Sequence, residues 1–323
     1  MNVTKLALAI PAAVVSLSLA LTGCTHASEE SASDGGSDTS DNAKIIDAMD
    51  KDEDIAKMVP AKIANRGTLS SGMAANYAPA EFIDSDGSTI IGFDIDYLKA
   101  MSKLMGLELT TANTAFPSLL PALGTKYDLS ASTFTITDER LTQVNMVSYF
   151  KAGFSMAVQK GNPQNVSPDD LCGHKVAVQT GTAQETDAQQ KNKKCAADGK
   201  KPIDLLSYPS QADATTNVAG GKADVLFADS VITSYAVSKN DALETLGGVT
   251  NAALFGVATA KNDDGLSKAV QAATQKLIDD GTMKKLLANW GNESGMVDKA
   301  ELNPRSGSQS LSLIHISEPT RPL

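Results

Sequence analysis

From Thr89 to Leu277, short extended runs alternate with amphipathic helical runs, and that alternation confines the folded body to an α/β architecture. Thr89-Ile-Ile-Gly-Phe93 reads as a strand. Asp94 to Leu107 reads as a helix, because Ile95, Leu98, Met101, Leu104 and Met105 recur on one face and Gly106 can stop it. Leu119 to Leu123 is a short apolar helical piece containing Pro121, and Asp128 to Ile136 is extended. Lys175-Val-Ala-Val-Gln179 is a buried strand, followed by the capping-box pattern Thr182-Ala-Gln-Glu185 at the start of a helix. Asp224 to Asp229 and Ala253 to Ala260 are further strands. Leu266, Ala269, Val270, Ala273 and Leu277 mark a long amphipathic helix that Gly281 ends. No internal repeat is visible.

The N-terminus sets the compartment. Lys5 is followed by a short apolar run from Leu6 to Leu21 and then Leu21-Thr-Gly-Cys24. A positive start, a short apolar core and small residues before a cut describe an export signal; the run is shorter than the roughly 20 residues that a membrane span needs. Leu-Thr-Gly-Cys resembles the lipobox of bacterial lipoproteins. That resemblance implies a signal peptide over 1–23, cleavage before Cys24 and lipid on its thiol; an ordinary signal peptide with a chance cysteine is the alternative. Ser28 to Asn42 holds no large apolar residue, so 24–55 is expected to be a flexible, lipid-anchored tether. At the other end, Leu311 to Arg321 resembles the translation of a sequencing-library adapter, so 311–323 is expected to be non-native and is set aside.

Of three cysteines, Cys24 is assigned to lipid. In an exported chain the remaining pair, Cys172 and Cys195, suggests one disulfide, with two buried free thiols as the alternative. The three histidines, His26, His174 and His315, form no metal-ligand spacing, so neither a metal nor a cofactor is expected. A formal net charge of −10, with no basic cluster interleaved with aromatics, argues against nucleic acid.

An ordered set of motifs adds a family resemblance. Asn76-Tyr-Ala-Pro79 with Glu81-Phe82 comes first, then Gly92-Phe-Asp-Ile-Asp96, Phe116-Pro-Ser-Leu-Leu-Pro-Ala-Leu123 and Thr135-Ile-Thr-Asp-Glu-Arg140. Gln179-Thr-Gly-Thr-Ala-Gln-Glu185 follows, then Gly221-Lys-Ala-Asp224 with Ala228-Asp229, and Asp280-Gly-Thr-Met283. Over about residues 60–300 this order resembles the family-3 solute-binding proteins of polar amino acid ABC importers. The resemblance implies a two-lobed, type II periplasmic-binding-protein-like α/β fold. Each lobe is a central sheet flanked by helices, and two crossover hinge strands join them. Lobe 1 is expected to span 60–152 plus 253–303, and lobe 2 153–252.

The same resemblance implies the site. A free amino acid carries a carboxylate and an ammonium on one carbon, and burying both requires a matched partner for each. Arg140 would grip the carboxylate, with the turn Thr182, Ala183 and Gln184 offering N–H groups at a helix start. Asp229 would take the ammonium. Tyr77 and Phe116 would sandwich the side chain, and Ser132, Thr133 and Thr135 would supply short polar groups. Each position also has a plain structural use: a surface arginine, a capping acid, core aromatics, backbone-paired hydroxyls. Asp94 and Asp96 read as a helix cap and a first-turn acid rather than as a catalytic pair. Gly-Thr-Ala-Gln lacks the lysine and glycines of a phosphate loop. Ala74, three residues before Tyr77, stands where members that bind basic amino acids commonly carry an acid, so a neutral or polar side chain is favoured.

Together these readings describe an exported, non-enzymatic protein on the outer face of the cell membrane. It would be monomeric, held by lipid on Cys24, and would deliver an amino acid to an ABC permease. The alternatives are an enzyme on the same scaffold, dehydratase-like, or a sensory ligand-binding module.

Overall fold

Runs such as Val176-Ala-Val178 and Val225-Leu-Phe-Ala228 are apolar on both strand faces, so they are stable only as inner strands covered on both sides. A computed structural model describes residues 39–305. Cys24, the signal segment and 311–323 lie outside the described residues. The described residues open with α1 (Thr39–Asp47), α2 (Glu53–Met58) and α3 (Ala61–Arg66). The flexible segment expected to reach residue 55 therefore gives way to helix at Thr39. Local pattern does not reveal α1, because distant contacts hold it: Ile46 is buried, and buried Asn42 donates to Asp96 Oδ2 at 2.7 Å and to Leu286 O at 3.2 Å.

Next come β1 (Thr68–Met73), β2 (Asn76–Tyr77), β3 (Glu81–Ile83), β4 (Ile90–Ile91), α4 (Phe93–Leu104) and β5 (Glu108–Asn113). After two short 3-10 turns come β6 (Leu129–Thr135), α5 (Asp138–Gln143), β7 (Val144–Gln159) and β8 (Lys175–Gln179). The chain continues through α6 (Ala183–Ala197), β9 (Asp204–Tyr208), α7 (Gln211–Ala219), β10 (Val225–Asp229) and α8 (Ser230–Lys239). It closes with β11 (Leu243–Ala260), α9 (Asp264–Asp279) and α10 (Thr282–Ala288).

The strands form one eight-stranded sheet in the order β5-β1-β6-β11-β7-β10-β8-β9, with a small sheet β2-β3-β4 beside it. β7 and β11 are antiparallel and run through the middle, paired from Val144 and Ala260 to Gln159 and Leu243. β6 pairs with β11 only from Phe255 onward, and β10 pairs with β7 only from Phe154 onward. The sheet thus serves two lobes, each flanked by its own helices, and two long strands connect them.

Each lobe has its own core. In the first, Leu69, Met73, Phe93, Leu98, Phe150, Phe255, Val270 and Leu277 are buried together. Tyr97 and Tyr149 stack at 4.8 Å, and the Tyr97 hydroxyl meets Thr274 Oγ1 at 2.5 Å. In the second, Val158, Val176, Val178, Ala188, Val225 and Phe227 pack with Cys195, which forms a disulfide with Cys172. No helix among the described residues is long and apolar enough to cross a membrane.

Candidate ligand-binding cleft

Gly92 sets the geometry of the cleft. Its φ of 135° and the carbonyl of Ala80, 2.0 Å from where a Cβ would sit, leave room only for glycine. The β2–β3 hairpin can therefore press on the start of α4, where Phe93 N–H bonds to Pro79 O and Asp94 N–H to Ala80 O. That contact carries Tyr77 to the edge of lobe 1, facing lobe 2.

One cavity of about 10 Å³ joins the lobes there, lined by Tyr77, Phe116, Thr133, Thr135, Arg140, Thr182, Ala183, Gln184 and Asp229. Nine of the ten residues singled out in the sequence meet at this point. Ser132 does not line it: its hydroxyl accepts from Ala74 N–H at 3.2 Å and donates to Glu81. A space of that size suits about one water molecule, so the lobes are shut on one another. A larger cavity of about 470 Å³ lies on the flank of lobe 1, between α4, β5 and the β3–β4 hairpin. Its only charged lining groups are Lys99 and Lys103, so it offers no opposed pair of charges.

Arg140 stands in the first turn of α5, whose N-cap Thr137 accepts its backbone N–H at 3.2 Å. The guanidinium lies 5.6 Å from the centroids of both Phe116 and Phe134, a cation–π seat in which the two rings stack on each other at 5.0 Å. Nη1 donates to Thr135 O at 2.8 Å, and Nη2 reaches across the cleft to Gly181 O at 3.2 Å. Three of the five guanidinium N–H bonds are then left for a guest. Burial lowers the Arg140 pKa, and Asp229 opposes that shift; an arginine remains charged throughout.

Asp229 ends β10 and begins α8 without capping it. Its Oδ2 accepts from the Tyr77 hydroxyl at 2.7 Å and its Oδ1 from Gln184 Nε2 at 2.6 Å, so one donor comes from each lobe. Burial pushes its pKa up to about 6, against the pull of Tyr77, Gln184 and Arg140.

Thr182 caps α6, accepting Glu185 N–H at 3.2 Å. The reciprocal half of the expected capping box shifts by one residue: Glu185 Oε2 takes the N–H of Gly181 at 2.7 Å. The N–H groups of Ala183 and Gln184, in the first turn, have no acceptor within the helix and stand at its positive end. Another cross-cleft contact lies beside this turn. Asn76 Oδ1 accepts from Gln179 Nε2 at 3.1 Å and from the backbone of Gln211 at 3.2 Å.

Two further acids were not assigned to the site by the sequence. Asp94 does not cap α4. Its Oδ2 accepts the N–H of Thr133 at 2.9 Å and its Oδ1 the Tyr149 hydroxyl at 2.6 Å. Asp96 instead accepts from Asn42 and, at 2.8 Å, from Trp290 Nε1. Glu81, fully buried, neighbours Asp94, and burial pushes both carboxyls well up. Its place in the Ala-Glu-Phe stretch was visible, but nothing local marked it as buried.

Metal chemistry finds little support among the described residues. The one acid and cysteine cluster is Asp170, Cys172 and Cys195, and its sulfurs are bonded to each other. The described histidine, His174, lies 3.7 Å from Asp224 at the outer end of β8, away from the cleft.

Residues 69–293 match the family model described as bacterial extracellular solute-binding proteins, family 3. The arginine-binding protein ArgT of Corynebacterium glutamicum is 35% identical over 306 residues, covering 94% of this chain and 97% of its own. The L-cystine-binding protein TcyJ of Escherichia coli is 29% identical over 71% of this chain and 84% of its own. Among solved structures, the amino acid ABC transporter substrate-binding protein AbpA of Streptococcus pneumoniae, bound to L-arginine, superposes with a TM-score of 0.65 at 26% identity, covering 74% of this chain and 100% of that one.

Proposed function

We infer the function from one premise: this chain belongs to the bacterial extracellular solute-binding proteins, family 3. On that premise it is the binding component of an amino acid ABC importer, capturing a free amino acid between its lobes and presenting it to a permease. The observation that carries the reading is the facing of Arg140 and Asp229, from opposite lobes, across one cavity. In the bound state the α-carboxylate sits on the guanidinium and on the N–H groups of Ala183 and Gln184, where both the charge and the helix end favour an anion. The ammonium sits on Asp229, and Tyr77 and Phe116 flank the side chain. Only a shut cleft engages both ends of the zwitterion, so binding and closure are one event. Lipid on Cys24 holds the body at the outer face of the membrane and within reach of the permease.

For the side chain, arginine is the first candidate. ArgT and AbpA are named for it or bound to it. A neutral or polar side chain is the second reading, favoured by Ala74. That residue is fully buried and offers no charge at the place where an acid would pair with a cation. An enzymatic role would need a carboxyl free for proton transfer; Asp229 has the raised pKa but is held by two donors and faces the ammonium position.

Calorimetric titration of residues 39–305 with the twenty protein amino acids tests the reading. Binding of at least one tighter than about 100 μM, roughly 5.5 kcal/mol, supports it, and the tightest ligand decides between the two side-chain classes. No binding at that level refutes it.

A further inference from the structure

The strand beneath the cleft is not regular. β6 pairs with β11 through Phe134 and Gly256 and again through Ser130 and Ala258, so a bulge stands between them. Inside it, Thr133 adopts a φ of 45°, a region that side chains with a Cβ avoid and that β-branched residues avoid most. The bulge takes the Thr133 N–H out of the ladder. Asp94 Oδ2, from the first turn of α4, takes that N–H at 2.9 Å. The Asp94 carboxylate is itself fixed on its other oxygen by Tyr149, and the preceding Ser132 is fixed by Glu81. Thr133 and Thr135 line the cavity, and Thr135 O also holds Arg140.

We propose that Asp94 is a positioning residue of the binding site: its carboxylate captures the N–H that the bulge frees and so holds Thr133 and the Thr135–Arg140 contact in the arrangement that receives the ligand. The inference rests on the amino acid reading given above. Its physical basis is that a bulged strand with a left-handed β-branched residue has a competing extended form, in which Thr133 turns away from the cavity. Asp94 and Glu81, both fully buried, select against that form. Among the described residues no salt bridge reaches either carboxyl. Glu81 Oε2 has no donor facing it, and its neighbour is the Asp94 carboxyl. The pair therefore shares a proton, Glu81 holding it and Asp94 remaining the acceptor that Thr133 needs.

The test compares Asp94→Asn with Tyr149→Phe by calorimetric titration with L-arginine, or with whichever of the twenty amino acids the wild type binds tightest, alongside the Tm of the ligand-free proteins. Tyr149→Phe removes a hydrogen bond from Asp94 without touching Thr133. It should lower Tm and leave Kd within about threefold of wild type, whereas Asp94→Asn should raise Kd by about tenfold or more. A folded Asp94→Asn protein with Kd within threefold of wild type overturns the proposal. If Asp94→Asn does not fold, Thr133→Gly, which tolerates the left-handed backbone, is compared with Thr133→Gly/Asp94→Asn. A further loss of about fivefold or more in the double variant supports the role, and equal affinities overturn it. A wild type that binds no amino acid overturns the functional reading, and this inference with it; a binding wild type with an indifferent Asp94→Asn overturns this inference alone.

Discussion

The Tyr77 hydroxyl donates to Asp229 Oδ2 at 2.7 Å, joining a hairpin of lobe 1 to the last residue of a central strand of lobe 2. The bond both shuts the cleft and stabilises the ionised form of a carboxylate whose burial opposes ionisation. Tyr77→Phe removes the bond and keeps the ring. A hydrogen bond to a charged group is worth about 1.5–3 kcal/mol, so Kd for the amino acid should rise by roughly tenfold to a hundredfold. Calorimetry checks this; an unchanged Kd would mean that the hydroxyl is exchanged for the ligand ammonium without net effect.

Affinity should depend on pH through Asp229. With the cleft shut, burial raises its pKa to about 6. Binding the ammonium requires the ionised form, so the apparent affinity falls as pH drops through 6, to about one-tenth at pH 5 of its value at pH 8. The ligand-free protein should behave in the opposite sense. Asp94 and Glu81, whose hydrogen-bond partners all lie in lobe 1, titrate above their ordinary values, so each contributes stability below its unfolded pKa that is lost as pH rises through its folded pKa. Thermal melts without ligand should therefore show a higher Tm near pH 5 than near pH 8, as long as other acids remain ionised. Parallel rather than opposed trends contradict this assignment.

Asn76 bridges Gln179 and Gln211 of the opposite lobe with a single oxygen. Asn76→Ala removes the bridge but leaves Arg140, Asp229 and the helix N-terminus in place. The closed form loses stability relative to the open one, so the dissociation rate should rise several-fold while the association rate holds. Stopped-flow kinetics separates the two; a change confined to association contradicts a latch.

Reduction of the Cys172–Cys195 disulfide frees a loop with a sequence separation of 23 residues. Chain entropy puts the loss at about 3 kcal/mol of stability for lobe 2. Guanidinium unfolding with and without reductant measures it. Amino acid affinity well below the transition should change little, because neither sulfur touches the cleft.

Much of this was legible in the residues because it is local. The face of Leu266, Ala269, Val270, Ala273 and Leu277 specifies α9, and the continuous apolar run within Lys175–Gln179 gives β8 to the residue. The clamp positions were found through ordered motifs rather than physics, since nothing in spacing alone ties Arg140 to Asp229. What escaped is non-local. The first half of β11, Leu-Glu-Thr-Leu-Gly-Gly-Val-Thr-Asn-Ala, is largely exposed with no apolar period, and it is a strand because β7 pairs with it. α1 reads as linker because its anchors, buried Ile46 and Asn42 on Asp96 and Leu286, act over long sequence distances. Asp94 reads as a cap acid and Glu81 only as part of a motif, because the burial of both depends on a bulge in a different strand, 39 and 51 residues away.

The central claim is that the cleft reads both charges of an α-amino acid at once. The most direct measurement titrates the wild type with its tightest amino acid, with the corresponding decarboxylated amine and with the corresponding deaminated acid. Each analogue leaves one buried charge, Asp229 or Arg140, without its partner, which should cost roughly 2–5 kcal/mol. Both analogues should then bind at least about thirtyfold more weakly than the amino acid. Either analogue binding within threefold of the parent would contradict the clamp.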